Sequence, residues 1–283
     1  MTSAARAAPD EAKKQTAVGE TIEVAKTVLY ALAIALVLRI LLFQPFTIPS
    51  ASMEPTLLQG DYIIVSKYSY GYSRHSIPFS PPIFNGRLLE RAPTRGDIVV
   101  FKLPSDGHTD YIKRLVGLPG DKIQVRGGVI HVNGKPVARR PLSPGVTGDG
   151  PGAGVPVARF QETMPNGKTY VTYDMGDRKA DNTAIYTVPA GCYFMMGDNR
   201  DNSVDSRFNP GGAADQRTAK TCPWDAAADE FTDPQTGVGF VPVDNLVGKA
   251  EIILLSWYPE ASLFKPWTWF TEARPSRFFR ILH

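Results

Sequence analysis

The chain is poor in the residues that build metal centres. Among 283 residues it has two cysteines, Cys192 and Cys222, and four histidines, His75, His108, His131 and His283. Neither cysteine belongs to a CxxC pair, and the histidines are scattered without metal-ligand spacing. A structural zinc site and a metalloenzyme are therefore disfavoured, and no cofactor is expected. Charge of one sign is also missing. The 31 Lys and Arg against 28 Asp and Glu leave a net +3 spread over the chain, so no basic stripe marks a nucleic-acid partner. There is no internal repeat and no heptad pattern.

One long apolar run is present. Thr27 to Phe43, TVLYALAIALVLRILLF, is interrupted only by Arg39. Extended to residues 22–44, it is long enough, at about 1.5 Å per residue, to cross a hydrocarbon core of roughly 30 Å. Arg39 lies where a long side chain can snorkel to the headgroups. A cleaved signal peptide with its cut near Ser50-Ala51-Ser52 is the alternative, but the run exceeds an ordinary signal-peptide core, and it is read as a membrane anchor. Arg6, Lys13, Lys14 and Lys26 are balanced by Asp10, Glu11, Glu20 and Glu23, so flanking charge does not orient it. Residues 1–21 lack apolar periodicity and are expected to form a disordered tail.

Beyond the anchor the composition turns to β structure, with 25 Gly and 24 Pro punctuating short runs of β-branched and aromatic residues. Tyr62–Val65, Asp97–Phe101, Lys122–Val125, Val129–Val132, Thr169–Tyr173, Ala184–Val188, Tyr193–Met196 and Ala250–Trp257 read as strands. Asn133-Gly134 marks a type I′ hairpin turn. The expected class is an all-β body, a partly open barrel or sandwich of antiparallel strands, with a single N-terminal transmembrane helix. Residues 45–120 and 187–258 are assigned to the main β domain and 121–186 to a smaller inserted β-rich domain. Pro141 to Val157 and Asn209 to Gly239 read as long surface insertions, and 259–283 as an aromatic and basic C-terminal tail.

Directly after the anchor stands Pro49-Ser50-Ala51-Ser52-Met53-Glu54-Pro55-Thr56-Leu57. Two prolines stiffen the backbone around Ser52, and Met53 and Leu57 supply apolar walls. A serine nucleophile needs a base, and no histidine sits in a suitable setting. Lys113, in Asp110-Tyr111-Ile112-Lys113-Arg114, is the candidate. At the reference pKa only ~0.04% of a lysine is neutral at pH 7, so the chemistry requires burial against Tyr111, Ile112 and Met53 to depress the pKa by about two units or more. An isolated lysine would otherwise read as a solvated strand residue.

Three blocks carry a resemblance. Ser50 to Leu57, Lys113 to Asp121 (KRLVGLPGD) and Met196 to Arg207 (MGDNRDNSVDSR) resemble, in order, the signature blocks of bacterial type I signal peptidases, and Gly96 to Lys102 (GDIVVFK) fits as well. The resemblance implies a membrane-bound serine endopeptidase of the bacterial inner membrane, single-pass, with its catalytic domain on the extracytoplasmic side. Its substrates would be exported preproteins, and its partners the bilayer and, as a candidate, the translocation machinery. It also implies Ser52 as nucleophile, Lys113 as general base, and the Ser52 N–H with the Ser50 hydroxyl as oxyanion donors. Ser203 matches a serine that orients the lysine amine, and Asp205 and Arg207 an ion pair that braces the site. Ile48, Pro49, Met53, Leu57, Tyr111 and Ile112 match walls of a pocket for the −1 residue, and Phe46, Val100 and Ile112 the −3 side. A substrate bound as an added strand presents alternate side chains to one face, so −1 and −3 are read and −2 is not. A self-cleaving repressor-type Ser/Lys protease and a catalytically inactive peptide-binding domain are the competing classes.

Against the family pattern, one anchor precedes Ser52 where some relatives have two, and the stretch 209–239 is longer than usual. Cys222 lies inside it and Cys192 just before the third block; a disulfide between them and two unpaired thiols are both open readings. The C-terminal aromatics, Trp257, Tyr258, Leu263, Phe264, Trp267, Trp269 and Phe270, with Arg274 to His283, suit either an interfacial patch or completion of the core.

Overall fold

The structure is a computed structural model that describes residues 9–148, 154–232, 235–261 and 265–282. Residues 1–8 of the expected tail, 149–153 and 233–234 of the two insertions, and Leu263, Phe264 and His283 lie outside the described residues.

Helix α1 runs Pro9–Leu41, and its segment Gly19–Leu41 is long and apolar enough to cross a membrane. It therefore takes in residues 9–21, which the sequence reading gave to an unstructured tail. The reason is compositional: a stretch with no apolar periodicity but rich in Ala, Glu and Lys has high helix propensity and can extend an existing helix. Pro9 opens the helix, where a missing N–H costs nothing.

The all-β body follows at once. Strands β1 (Phe43–Thr47), β2 (Asp61–Ser66), β3 (Ile98–Lys102) and β4 (Asp110–Gly117) precede β5 (Lys122–Arg126), β6 (Val129–Val132), β7 (Lys135–Pro136), β8 (Ala138–Val146), β9 (Pro156–Thr163), β10 (Thr169–Asp174) and β11 (Tyr186–Thr187). After these come β12 (Cys192–Met196), helix α2 (Gln216–Thr221), β13 (Val241–Pro242), β14 (Leu246–Ser256), helix α3 (Thr268–Thr271) and β15 (Arg280–Ile281). The large antiparallel sheet has the order β1-β2-β14-β3-β4-β12-β13, with β15 added on β14. Two smaller sheets, β11-β5-β6-β7 and β10-β9-β8, are built from residues between 121 and 188. Asn133 and Gly134, at φ 52° and 78°, form the β6–β7 turn, as Asn-Gly at this spacing requires.

Pro141 to Val157 is not a surface loop. Most of its described residues lie in β8 and β9, a long hairpin in register from Ala138↔Thr163 to Val146↔Pro156. Its prolines misled the reading, because β8 is an edge strand with a register shift between Leu142 and Gly145, and edges and bulges are where a strand tolerates proline. Nor is 209–239 bare loop: it contains α2 and a 3₁₀ segment, Ala226–Phe231, and Trp224 packs against Tyr186 and Phe240. Cys222, at the end of α2, is bonded to Cys192 at the start of β12.

The C-terminal stretch divides. Its basic half joins the core: Arg277, 7% exposed, donates from Nε and Nη2 to Asp61 Oδ1 and Oδ2 at 3.0 and 2.6 Å. Buried Arg274 donates to the carbonyls of Gln59 and Trp257. Its aromatic half, Trp267, Trp269 and Phe270, stays exposed.

The Cys192–Cys222 bond closes a loop across a sequence separation of 30 residues, worth about 3 to 4 kcal/mol in chain entropy. Cys222→Ser is expected to lower the unfolding free energy by an amount of that size, read as a fall in the denaturant midpoint. Adding reductant should erase the difference between variant and wild type.

Candidate active site

The chain leaves β1, passes exposed Pro49 and Ser50, and makes a single 3₁₀ turn at Ala51–Met53. Met53 and Leu57 are fully buried in an apolar cluster with Ile48, Val100 and Ile112, so the turn is held from below by burial. From above it is held by Asn199. The Asn199 backbone N–H donates to Ser52 O at 3.1 Å, and its Nδ2 to Ala51 O at 3.2 Å. Arg277 donates to Thr56 O at 3.0 Å, which ties the end of the segment to Asp61. Ser52 is thus buried at 7% exposure beside exposed Ser50, with 3.3 Å between the two Oγ atoms.

Lys113 lies on β4 opposite Val99 and is 4% exposed. Its Nζ is 2.7 Å from Ser52 Oγ and donates to Ile112 O at 3.1 Å. The Tyr111 ring lies 5.4 Å from the amine. Burial lowers the Lys113 pKa to about 8, helped by Arg207 and opposed by Asp205 and Asp198. About a tenth of the amine is then neutral at pH 7, a gain of more than a hundredfold over a solvated lysine.

Residues 197–207 wrap this pair. Asp205 is fully buried and takes Arg207 Nε on Oδ1 at 2.9 Å, with Arg207 Nη2 and Gly197 N on Oδ2 at 3.0 Å each. Asp198 receives both arms of Arg114 at 2.7 Å and the Thr56 hydroxyl at 2.5 Å. Arg200 forks onto Glu162 of β9 at 2.9 and 2.6 Å. Ser203 differs from expectation. Its hydroxyl donates to Asp205 Oδ2 at 2.9 Å, while the Lys113 amine is engaged by Ser52 and Ile112. Ser203 therefore touches the carboxylate that faces the lysine, because Asp205, two residues on, is the stronger acceptor.

The family model described as "Signal peptidase, peptidase S26" matches residues 21–257, which include every residue of this constellation except Arg277. The chain belongs to that family. It is 39% identical over 272 residues to the signal peptidase I of Rickettsia typhi (strain ATCC VR-144 / Wilmington), covering 90% of this chain and 91% of that one. It is 37% identical over 276 residues to that of Rickettsia canadensis (strain McKiel), covering 91% and 92%. A crystal structure of a signal peptidase I from Enterococcus faecalis V583 aligns at TM-score 0.27 and 20% identity, over 56% of this chain and 97% of that chain.

The expected substrate-side residues sort by exposure in this family member. Pro49 is exposed and Phe46 and Tyr111 are half-buried, whereas Ile48, Val100 and Ile112 are buried at 3%, 2% and 9%. Met53 and Leu57, expected as pocket walls, have no exposed surface; they back the site from beneath because they anchor the turn that carries Ser52. Two strand edges are open nearby: among the described residues β1 pairs only with β2, and Asp110–Lys113 of β4 pair only with β3. Among the described residues no cluster of His, Cys, Asp and Glu could hold a metal ion.

Sequence reasoning gave no role to Asn199, Asp198, Arg114 or Gly197. Gly197 is the least replaceable of these, since a Cβ there would sit 2.3 Å from Ser203 Oγ and 2.5 Å from the Ser52 carbonyl. Gly197→Ala must displace the nucleophile turn or the Asp205 brace. Displacements approaching 1 Å cost about a hundredfold in rate, so kcat should fall by that order with the far-ultraviolet circular dichroism unchanged.

Proposed function

We propose that the chain is a membrane-anchored endopeptidase that removes signal peptides from exported precursors. The observation that carries this reading is the 2.7 Å contact between a buried, pKa-depressed Lys113 and Ser52. Neutral Lys113 takes the proton of Ser52 as Oγ attacks the scissile carbonyl. The oxyanion forms against the Ser52 N–H, which donates to no acceptor among the described residues, and the exposed Ser50 hydroxyl. The protonated amine then returns its proton to the leaving amine, and water activated by Lys113 releases the acyl group from Ser52.

The substrate adds as a strand against the open edges of β1 and β4. Alternate side chains then face Phe46, Ile48, Tyr111 and Ile112, which leave room for small residues at −1 and −3. Helix α1 holds this cleft at the extracytoplasmic face of the inner membrane, and the translocation machinery is a candidate partner that delivers precursors to it.

Ser52→Ala and Lys113→Met should each abolish cleavage of a precursor carrying Ala at −1 and −3. Retention of near wild-type turnover by either variant would overturn the mechanism. Because only neutral Lys113 acts, kcat/KM should rise about tenfold per pH unit up to a limb near pH 8; a limb near the ordinary lysine value would reject the assignment.

The same shift predicts a stability profile. Between about pH 8 and 10.5 the folded state binds fewer protons at Lys113 than the unfolded state, so stability from this group rises with pH across that window. Below it the protein bears the cost of a buried ammonium. Lys113→Met should therefore raise the thermal midpoint at pH 7 and remove the rise between pH 8 and 10.5.

A further inference from the structure

On the far side of the nucleophile segment, Pro55 and Thr56 form part of a second cleft, of about 370 Å³, between the body and the β8–β10 sheet. Arg159 and Gln161 of β9, Thr169 of β10, Arg280 of β15 and Arg114 line it, and among the described residues no acidic one does. Arg114 is matched by Asp198. Arg159 and Arg280 have no carboxylate partner among the described residues. Two like charges facing one concavity repel, and the arrangement lowers the free energy of any anion that enters.

Arg159 provides a second observation. Gly145 makes room for it, since a Cβ at that position would lie 2.6 Å from Arg159 Cδ, and its Nε is buried with no hydrogen-bond partner among the described residues. A buried orphan donor in a folded protein marks a missing partner such as an ion. Gln161 adds another donor: its Oε1 is taken by Arg140 Nη2 at 2.6 Å, which leaves its amide N–H groups without an acceptor among the described residues. The donors reach the cleft from β9, from β15 and from its floor. A planar carboxylate is satisfied by one guanidinium fork, whereas a tetrahedral oxyanion uses several directions at once.

We infer that this cleft binds a phosphate group. Ile281 lines it and is strongly exposed, so the phosphate can carry an apolar substituent. Free phosphate and a lipid headgroup share this chemistry. The site uses neither Ser52 nor Lys113, so it stands or falls separately from the peptidase reading.

The test follows thermal unfolding of the full chain in neutral detergent by tryptophan fluorescence. One arm adds inorganic phosphate against sodium chloride at matched ionic strength; the other adds dioleoyl phosphatidic acid against dioleoylglycerol, which lacks the phosphate. At about ten times Kd, phosphate should raise the midpoint by about 3 to 5 °C, and the Arg159→Gln/Arg280→Gln protein should lose the rise. A rise with phosphatidic acid at concentrations at least tenfold below those of inorganic phosphate assigns the site to a headgroup; the reverse order assigns it to the free anion. Should the double variant fail to fold, Arg280→Gln, on an exposed two-residue strand, should weaken the response about tenfold. No rise beyond the chloride control in the wild type, or an equal rise in the variants, would overturn the inference.

Discussion

The desolvation of one ammonium group governs the rest of this structure. In the proposed mechanism Lys113 acts as a base only while its surroundings disfavour charge, yet the site is ringed by carboxylates. Asp205 and Asp198 both push its pKa back up, and an uncompensated carboxylate at short range would restore the proton. Each is instead consumed by a guanidinium: Asp205 by Arg207 and Asp198 by Arg114, at separations of 2.7 to 3.0 Å typical of charge-assisted bonds. The Asp205 carboxyl is held below its usual range, its own burial outweighed by Arg207 and by backbone N–H donors. It remains ionised, but its field is spent on Arg207, and the hydroxyl of Ser203 takes up part of what is left.

That compensation explains why the third block is so rich in charge while so deeply buried. Buried ion pairs contribute little net stability, because desolvation offsets the attraction, but they penalise every arrangement that separates them. Here they define position. Asp198 links the block to β4, Arg200 links it to β9, and Asn199 between them fixes the carbonyls of Ala51 and Ser52. Three consecutive residues thus orient the base strand, the smaller sheet and the nucleophile turn relative to one another. The Cys192–Cys222 bond then encloses this block within one covalent loop.

Much of this was legible in the sequence, for physical reasons that also set the limits. Strands with a buried face, such as β3 and β6, announce themselves through β-branched runs between turn residues. The hairpin β8–β9 did not, because proline is a breaker in a central strand and harmless on an edge. Ser52 and Lys113 could be named because their chemistry demands particular side chains. Gly197 and Asn199 could not, since their roles depend on what comes close in space: a missing Cβ and a pair of carbonyls belonging to residues almost 150 positions away. The resemblance pairs Ser203 with the lysine, but its hydroxyl donates to Asp205, a choice decided by geometry that no spacing reveals.

The connection between anchor and body gives the last constraint. Only Leu42 separates the end of α1 from β1, and that junction is fastened to the body. The Lys67 N–H donates to Leu42 O at 2.9 Å, and the Tyr72 hydroxyl donates to Leu41 O at 2.6 Å. A flexible linker would let the domain sample many heights over a bilayer. This one has no free length: β1 advances about 16 Å from the end of the helix, at roughly 3.3 Å per residue, and the chain reaches Ser52 five residues later. The same short strand has an open edge among the described residues. The element that sets the distance of Ser52 from the helix is therefore also the element with the open edge, so under the proposed function anchoring and recognition become a single geometric condition.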